Sequence, residues 1–109
     1  MRALLAAPSL RAPELIVLEV AAALRNRVLR REVSVEEASQ ALARLQRLPI
    51  VRHPLMPLLD RVWELRDNLT PYDAAYVALA ERLKLPFLTA DEGVAHAPGL
   101  RCRVRLVNL

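Results

Sequence analysis

Arg66-Asp67-Asn68-Leu69-Thr70-Pro71-Tyr72-Asp73-Ala74-Ala75-Tyr76-Val77-Ala78-Leu79-Ala80-Glu81 is the stretch whose reading decides the fold. Thr70 offers a hydroxyl at a helix N-cap, Pro71 suits the first helical position, and Asp73 is an acid in the first turn. The helix this opens is predicted to run to about Leu83. Tyr76, Val77 and Ala80 share the face of Asp73, so its carboxylate points where the helix packs. An acid in the first turn also serves as a cap favoured by the helix dipole.

Outward from this helix, Leu85-Pro86-Phe87-Leu88-Thr89 reads as a strand, and Asp91 opens a short turn or helix. An alternating pattern from Arg103 to Val107 predicts a last strand. Toward the N-terminus, Pro54 and Pro57 bracket the start of a helix from about Met56 to Arg66. Ile50 to His53 reads as a short strand. Ser34-Val35-Glu36-Glu37 is a capping box, with a hydroxyl at the N-cap and a carboxylate three residues on, and predicts a helix to about Leu48. Glu14 to Arg31 has no Gly or Pro and is rich in Ala, Leu and Arg, which predicts a long helix with Pro13 in its first turn. Ser9 to Ala12 is a short strand, and Met1 to Ala7 the tail of a helix. Helices alternating with short apolar strands predict an α/β layer fold with a mainly parallel sheet, as one domain over residues 1–109.

The bulk properties agree. The chain has 109 residues, 54% hydrophobic, with Gly 2 and Pro 8. That is core enough for one domain and excludes a disordered composition. No apolar run approaches the roughly 18 residues of a membrane span, and no signal peptide is expected. The single Cys102 excludes an internal disulfide framework and favours a reducing, cytoplasmic setting, with Cys102 a small strand or surface residue. The net charge is +4, carried almost wholly by Arg, with Lys84 the sole lysine. Arg grips phosphate bidentately, so the excess suits RNA, and it equally serves solubility.

Three carboxylates stand out. Glu19 has Leu15, Ile16, Ala22 and Ala23 as helical neighbours, which places it on the stripe expected to face the core. There it needs a metal, or a salt bridge to an Arg. Asp73 is described above. Asp91 follows a strand at the end where α/β sheets gather ligands, or simply caps the next turn. Thr89, two residues earlier, lies on the same side if the strand continues. Three acids converging at one rim would repel one another unless a divalent cation neutralised them, and oxygen-only ligands suit Mg²⁺ or Mn²⁺. His53 and His96 have no zinc spacing, and Trp63 is expected as a core anchor.

These residues carry a resemblance. Leu18-Glu19-Val20-Ala21-Ala22-Ala23-Leu24-Arg25, the Tyr72-Asp73-Ala74-Ala75-Tyr76-Val77-Ala78-Leu79-Ala80 core of the opening stretch, and Leu88-Thr89-Ala90-Asp91 together resemble PIN domains of the VapC type. The resemblance implies a three-layer α/β fold and a ribonuclease that cuts RNA with Mg²⁺ or Mn²⁺. It also implies the toxin half of a toxin–antitoxin pair, restrained by an antitoxin and often a homodimer. It assigns Glu19, Asp73 and Asp91 as metal ligands and catalytic acids, with Thr70 and Thr89 as supporting neighbours. Family members carry an opening central strand, ending in a further aspartate, ahead of anything that matches Met1, and many have Asn where Ala22 stands. A catalytically silent PIN-like module that binds antitoxin, RNA or itself is therefore the alternative. A helix-rich regulatory module is a third reading.

Overall fold

The computed structural model describes residues 10–108. The helix tail expected at Met1 to Ala7 lies outside them. The chain divides into two compact units, Met1–Arg52 and His53–Leu109.

Strand β1 (Arg11–Pro13) pairs with β2 (Val51–His53), whose last residue opens the second unit, and the Val51 N–H donates to the Leu10 carbonyl at 2.8 Å. Pro13 therefore ends a strand and does not start the helix. Its fixed φ and missing N–H are tolerated at a strand margin as well as in a first helical turn. Helix α1 (Ile16–Leu29) follows a turn at Glu14–Leu15. It stops short of the expected Arg31 because Arg31 is left-handed, φ 60°, where the backbone reverses. Helix α2 (Val35–Arg47) begins at the expected capping box. The Glu37 N–H donates to Ser34 Oγ and the Ser34 N–H donates to Glu37 Oε1, both at 3.0 Å. Leu48 is already extended ahead of Pro49, which ends the helix.

In the second unit, a 3₁₀ turn (Met56–Leu58) leads into α3 (Leu59–Glu64), then α4 (Pro71–Leu83), β3 (Phe87–Thr89), α5 (Glu92–Ala95) and β4 (Val104–Leu106). The expected third helix is thus split, with Pro57 in the tight first segment. Strands β3 and β4 are parallel, with Phe87 opposite Val104 and Thr89 opposite Leu106. Helix α4 carries most of the core. Ala74, Ala75, Val77, Ala78, Leu79 and Ala80 are buried, and the small alanines let neighbouring elements approach closely. Leu65, Leu69, Ala74, Val77 and Val94 form one cluster, with Phe87, Leu100 and Cys102 packed against it. Leu58, Ala78 and Leu79 form a second.

Trp63 is no core anchor. It is 66% exposed, with the Arg66 guanidinium 4.9 Å from its ring centroid. Leu58, Val62 and Leu65 define the inward face here, and Trp63, next to Val62, is rotated about 100° away from it. No helix among the described residues is long and apolar enough to cross a membrane.

Candidate active site

Asp73 sits on the first turn of α4, half-buried at the head of the face formed by Val77 and Ala80. Thr70 holds it twice. The Thr70 Oγ1 accepts the Asp73 N–H and donates to Asp73 Oδ2, each at 3.2 Å. One hydroxyl therefore caps the helix and orients the carboxylate.

Asp91 lies just past the carboxyl end of β3. Its N–H donates to Thr89 Oγ1 at 3.1 Å, and its Oδ1 accepts the Val94 N–H at 3.0 Å, capping α5. The second carboxylate oxygen has no hydrogen-bond partner among the described residues. Gly93 keeps the site open, since a Cβ there would stand 3.1 Å from Asp91 Oδ1.

Topology brings these two acids to the same end of the second unit. Only Lys84 to Pro86 separate α4 from β3, so the chain reverses between them. The start of α4 and the exit of β3 thus lie at the same end. Packing agrees: Ala74, next to Asp73, and Val94, three residues after Asp91, belong to one buried cluster.

Glu19 is on α1 in the first unit, half-buried and engaged in an interaction. Of the stripe expected to bury it, Leu15 and Ile16 are half-buried like Glu19 itself, and Ala22 and Ala23 are not. Ile16, Val20, Leu24 and Val28, spaced by four, are the half-buried line, whereas Ala22 and Ala23 are exposed. Glu19 borders that line. Among the described residues no three His, Cys, Asp or Glu side chains form a group that could hold a metal ion. By donor type, the carboxylates of Asp73 and Asp91 suit a hard cation such as Mg²⁺ or Mn²⁺.

A PIN-domain family model matches residues 1–100. Ribonuclease VapC1 of Mycobacterium tuberculosis is 47% identical over 109 residues, covering 99% of this chain and 82% of its own length. VapC ribonuclease Mb0985 of Mycobacterium bovis is 38% identical over 97% of this chain and 84% of its own. Ribonuclease VapC12 of Mycobacterium tuberculosis is 38% identical over 88% of this chain and 74% of its own. The chain belongs to the PIN-domain family. The α/β fold class expected from the sequence stands with it, and the helix-rich regulatory module that ignored the acids does not.

Away from the acids, this PIN domain holds a network that spacing did not reveal. Arg61 grips Glu81 with both prongs, Nε to Oε1 at 2.7 Å and Nη2 to Oε2 at 3.1 Å. The same guanidinium donates to the Gly99 carbonyl at 2.8 Å and to Glu64 Oε2 at 3.1 Å. The Arg101 N–H donates to Glu81 Oε2 at 2.7 Å. Burial would push the Glu81 carboxyl up, but the bonds from Arg61 and Arg101 and their charges outweigh it and hold it below its ordinary value. The Arg61 guanidinium is held above its own, chiefly by the Glu81 bond. This network pins the loop before β4 to α4. His96 donates from Nδ1 to the Glu92 carbonyl at 2.9 Å, a bond internal to α5 and its cap. Cys102 is half-buried against the core cluster, and burial raises its thiol's pKa, so it stays a neutral thiol.

Proposed function

We propose that this PIN domain is a metal-dependent endoribonuclease of the VapC toxin type. The observation that carries the reading is the pair Asp73 and Asp91, each bonded to its own threonine, at one end of the parallel strand pair. The ribonuclease names of its relatives point the same way.

In this reading Asp73, Asp91 and, by its motif, Glu19 hold a divalent cation, Mg²⁺ or Mn²⁺. When bound, the cation supplies the positive charge that eases deprotonation of water and stabilises a phosphodiester under attack. The chain's own residues do the positioning. Thr70 holds the Asp73 carboxylate in place, and Thr89 fixes the backbone of Asp91 while the Val94 N–H anchors one of its oxygens. That leaves the other Asp91 oxygen available for a ligand. Arginine side chains would hold the RNA backbone. The partners that follow are an RNA substrate, a cognate antitoxin and a second copy of the chain in a homodimer, in the cytoplasm.

The test is cleavage of single-stranded RNA by the full chain with Mn²⁺, with and without EDTA. Asp73→Asn is expected to lower turnover about a hundredfold or more, since it removes a ligand charge without changing shape. Turnover that persists in EDTA, or in a folded Asp73→Asn protein, overturns the reading. A folded chain with no turnover at all favours the silent binding module.

A further inference from the structure

The end of the second unit opposite the acids carries a different chemistry. Where α4 turns back into β3, a cleft of about 230 Å³ opens, lined by Ala80, Glu81, Lys84, Leu85, Pro86, Arg101, Cys102 and Arg103. It lies at the amino ends of the parallel β3 and β4, so it is no part of the Asp73–Asp91 site.

Its electrostatics are one-sided. Glu81 is the sole acid in the wall, and both its oxygens are already taken by Arg61 and the Arg101 N–H. Among the described residues, the side chains of Lys84, Arg101 and Arg103 make no ion pair with any carboxylate. Two of the last-turn α4 carbonyls, which would otherwise repel an anion, are capped. The Lys84 N–H bonds to the Glu81 carbonyl and the Leu85 N–H to the Ala80 carbonyl. Ala80, Leu85, Pro86 and Cys102 give the cleft an apolar side.

Lys84 supplies an independent observation. It ends α4 in the left-handed conformation, φ 55°, the position where Gly is strongly favoured because it has no Cβ. A side chain kept where the backbone would rather have none points to a use for that side chain.

We infer that this cleft binds a phosphate monoester and the sugar attached to it, through Lys84, Arg101 and Arg103. Charge selects the class. A carboxylate or an internal phosphodiester carries a single negative charge, whereas a phosphate monoester carries about −1.5 to −2, the better match to three cations. Size agrees, because the cleft is smaller than the roughly 300–1,000 Å³ pockets that engulf larger ligands. The phosphate arrives either on a free mononucleotide or as the terminal phosphate of an RNA.

The experiment titrates the full chain, in EDTA so that RNA stays intact, with three probes: adenosine 5′-monophosphate and two single-stranded RNAs identical except for a 5′-phosphate or a 5′-hydroxyl. Calorimetry gives affinity, and backbone amide NMR shifts locate the ligand. The expected result is binding that shifts Lys84, Leu85, Arg101 and Arg103. Arg101→Gln and Arg103→Gln are each expected to weaken it roughly tenfold, without loss of fold, because only their backbone atoms take part in the fold's hydrogen bonds. Lys84→Gly is the decisive variant: it raises the melting temperature and weakens binding, whereas a purely structural Lys84 would change only the first. Binding of the mononucleotide alone assigns a free nucleotide, and binding of the 5′-phosphorylated RNA assigns an RNA end. Equal affinity for the 5′-hydroxyl RNA, shifts confined to Asp73 and Asp91, or no binding by either phosphomonoester overturns the proposal. The readout is independent of cleavage, so a failure here is distinct from a failure of the ribonuclease reading.

Discussion

Thr70 does two jobs with one oxygen, and they can be separated. Thr70→Val keeps the shape but removes both the cap to the Asp73 N–H and the bond to Asp73 Oδ2. Loss of the cap is expected to cost about 1 kcal/mol, read as a lower urea midpoint at unchanged slope. Thr70→Ser should restore most of it. A Val variant as stable as the parent would mean that the cap carries no weight. Both roles are legible from the sequence, since Thr-Pro-x-Asp is a local pattern whose geometry follows from the chain within one turn. The Glu81 pair is the contrary case. Arg61 and Glu81 are separated by 20 positions, and no spacing rule joins them. Its signature is in the pH profile. Glu81 is held below its ordinary value of 4.5, so the folded state keeps it charged where the unfolded chain takes up a proton. Its stabilisation is therefore complete above the unfolded value and is lost as pH falls through the lower, folded one. Glu81→Gln should reduce stability at neutral pH and flatten the acid limb of the urea-midpoint profile. The slope that remains includes Glu37, held low by its bonds from the Ser34 N–H and hydroxyl. An acid limb of unchanged steepness would remove Glu81 from this account.

Elements were read correctly where their ends carry local chemistry. The capping box at Ser34 and the cap at Thr70 start their helices where expected. Faces were harder, because which side of a helix turns inward is set by what it packs on. Around Glu19, Ala22 and Ala23 made one stripe look apolar, yet the half-buried line passes through Ile16, Val20, Leu24 and Val28. Helix α3 is the sharper instance. Size alone suggested Trp63 as an anchor, but Val62 and Leu65 take the inward positions. Trp63→Ala is thus expected to cost roughly 0.5 kcal/mol, the range of surface substitutions, and not the 3–5 kcal/mol of an emptied core. Thermal or urea unfolding of that variant decides between the two. A loss in the core range would place Trp63 inside.

At the scale of the molecule, the second unit is built with a polarity. The start of α4 and the exit of β3 put acids at one end, and the Lys84–Pro86 reversal puts cations at the other. The acidic end was legible because its residues stand in short motifs beside caps and strand ends. The basic end was not, because Lys84 in the left-handed conformation is indistinguishable in sequence from a lysine in any helix. What the sequence could not supply for the acids was their company. Glu19, Asp73 and Asp91 were expected to converge from periodicity and motif; Asp73 and Asp91 stand in one unit, beside Ala74 and near Val94 of one core cluster, and Glu19 stands in the other.

The central claim is that Asp73 and Asp91 together serve one divalent cation. A Mn²⁺ titration followed by electron paramagnetic resonance tests it directly, on the parent chain and on Asp73→Asn and Asp91→Asn. The account predicts one Mn²⁺ bound by the parent, and an affinity at least roughly tenfold weaker in each variant with the fold retained. Unchanged Mn²⁺ affinity in both folded variants would contradict it.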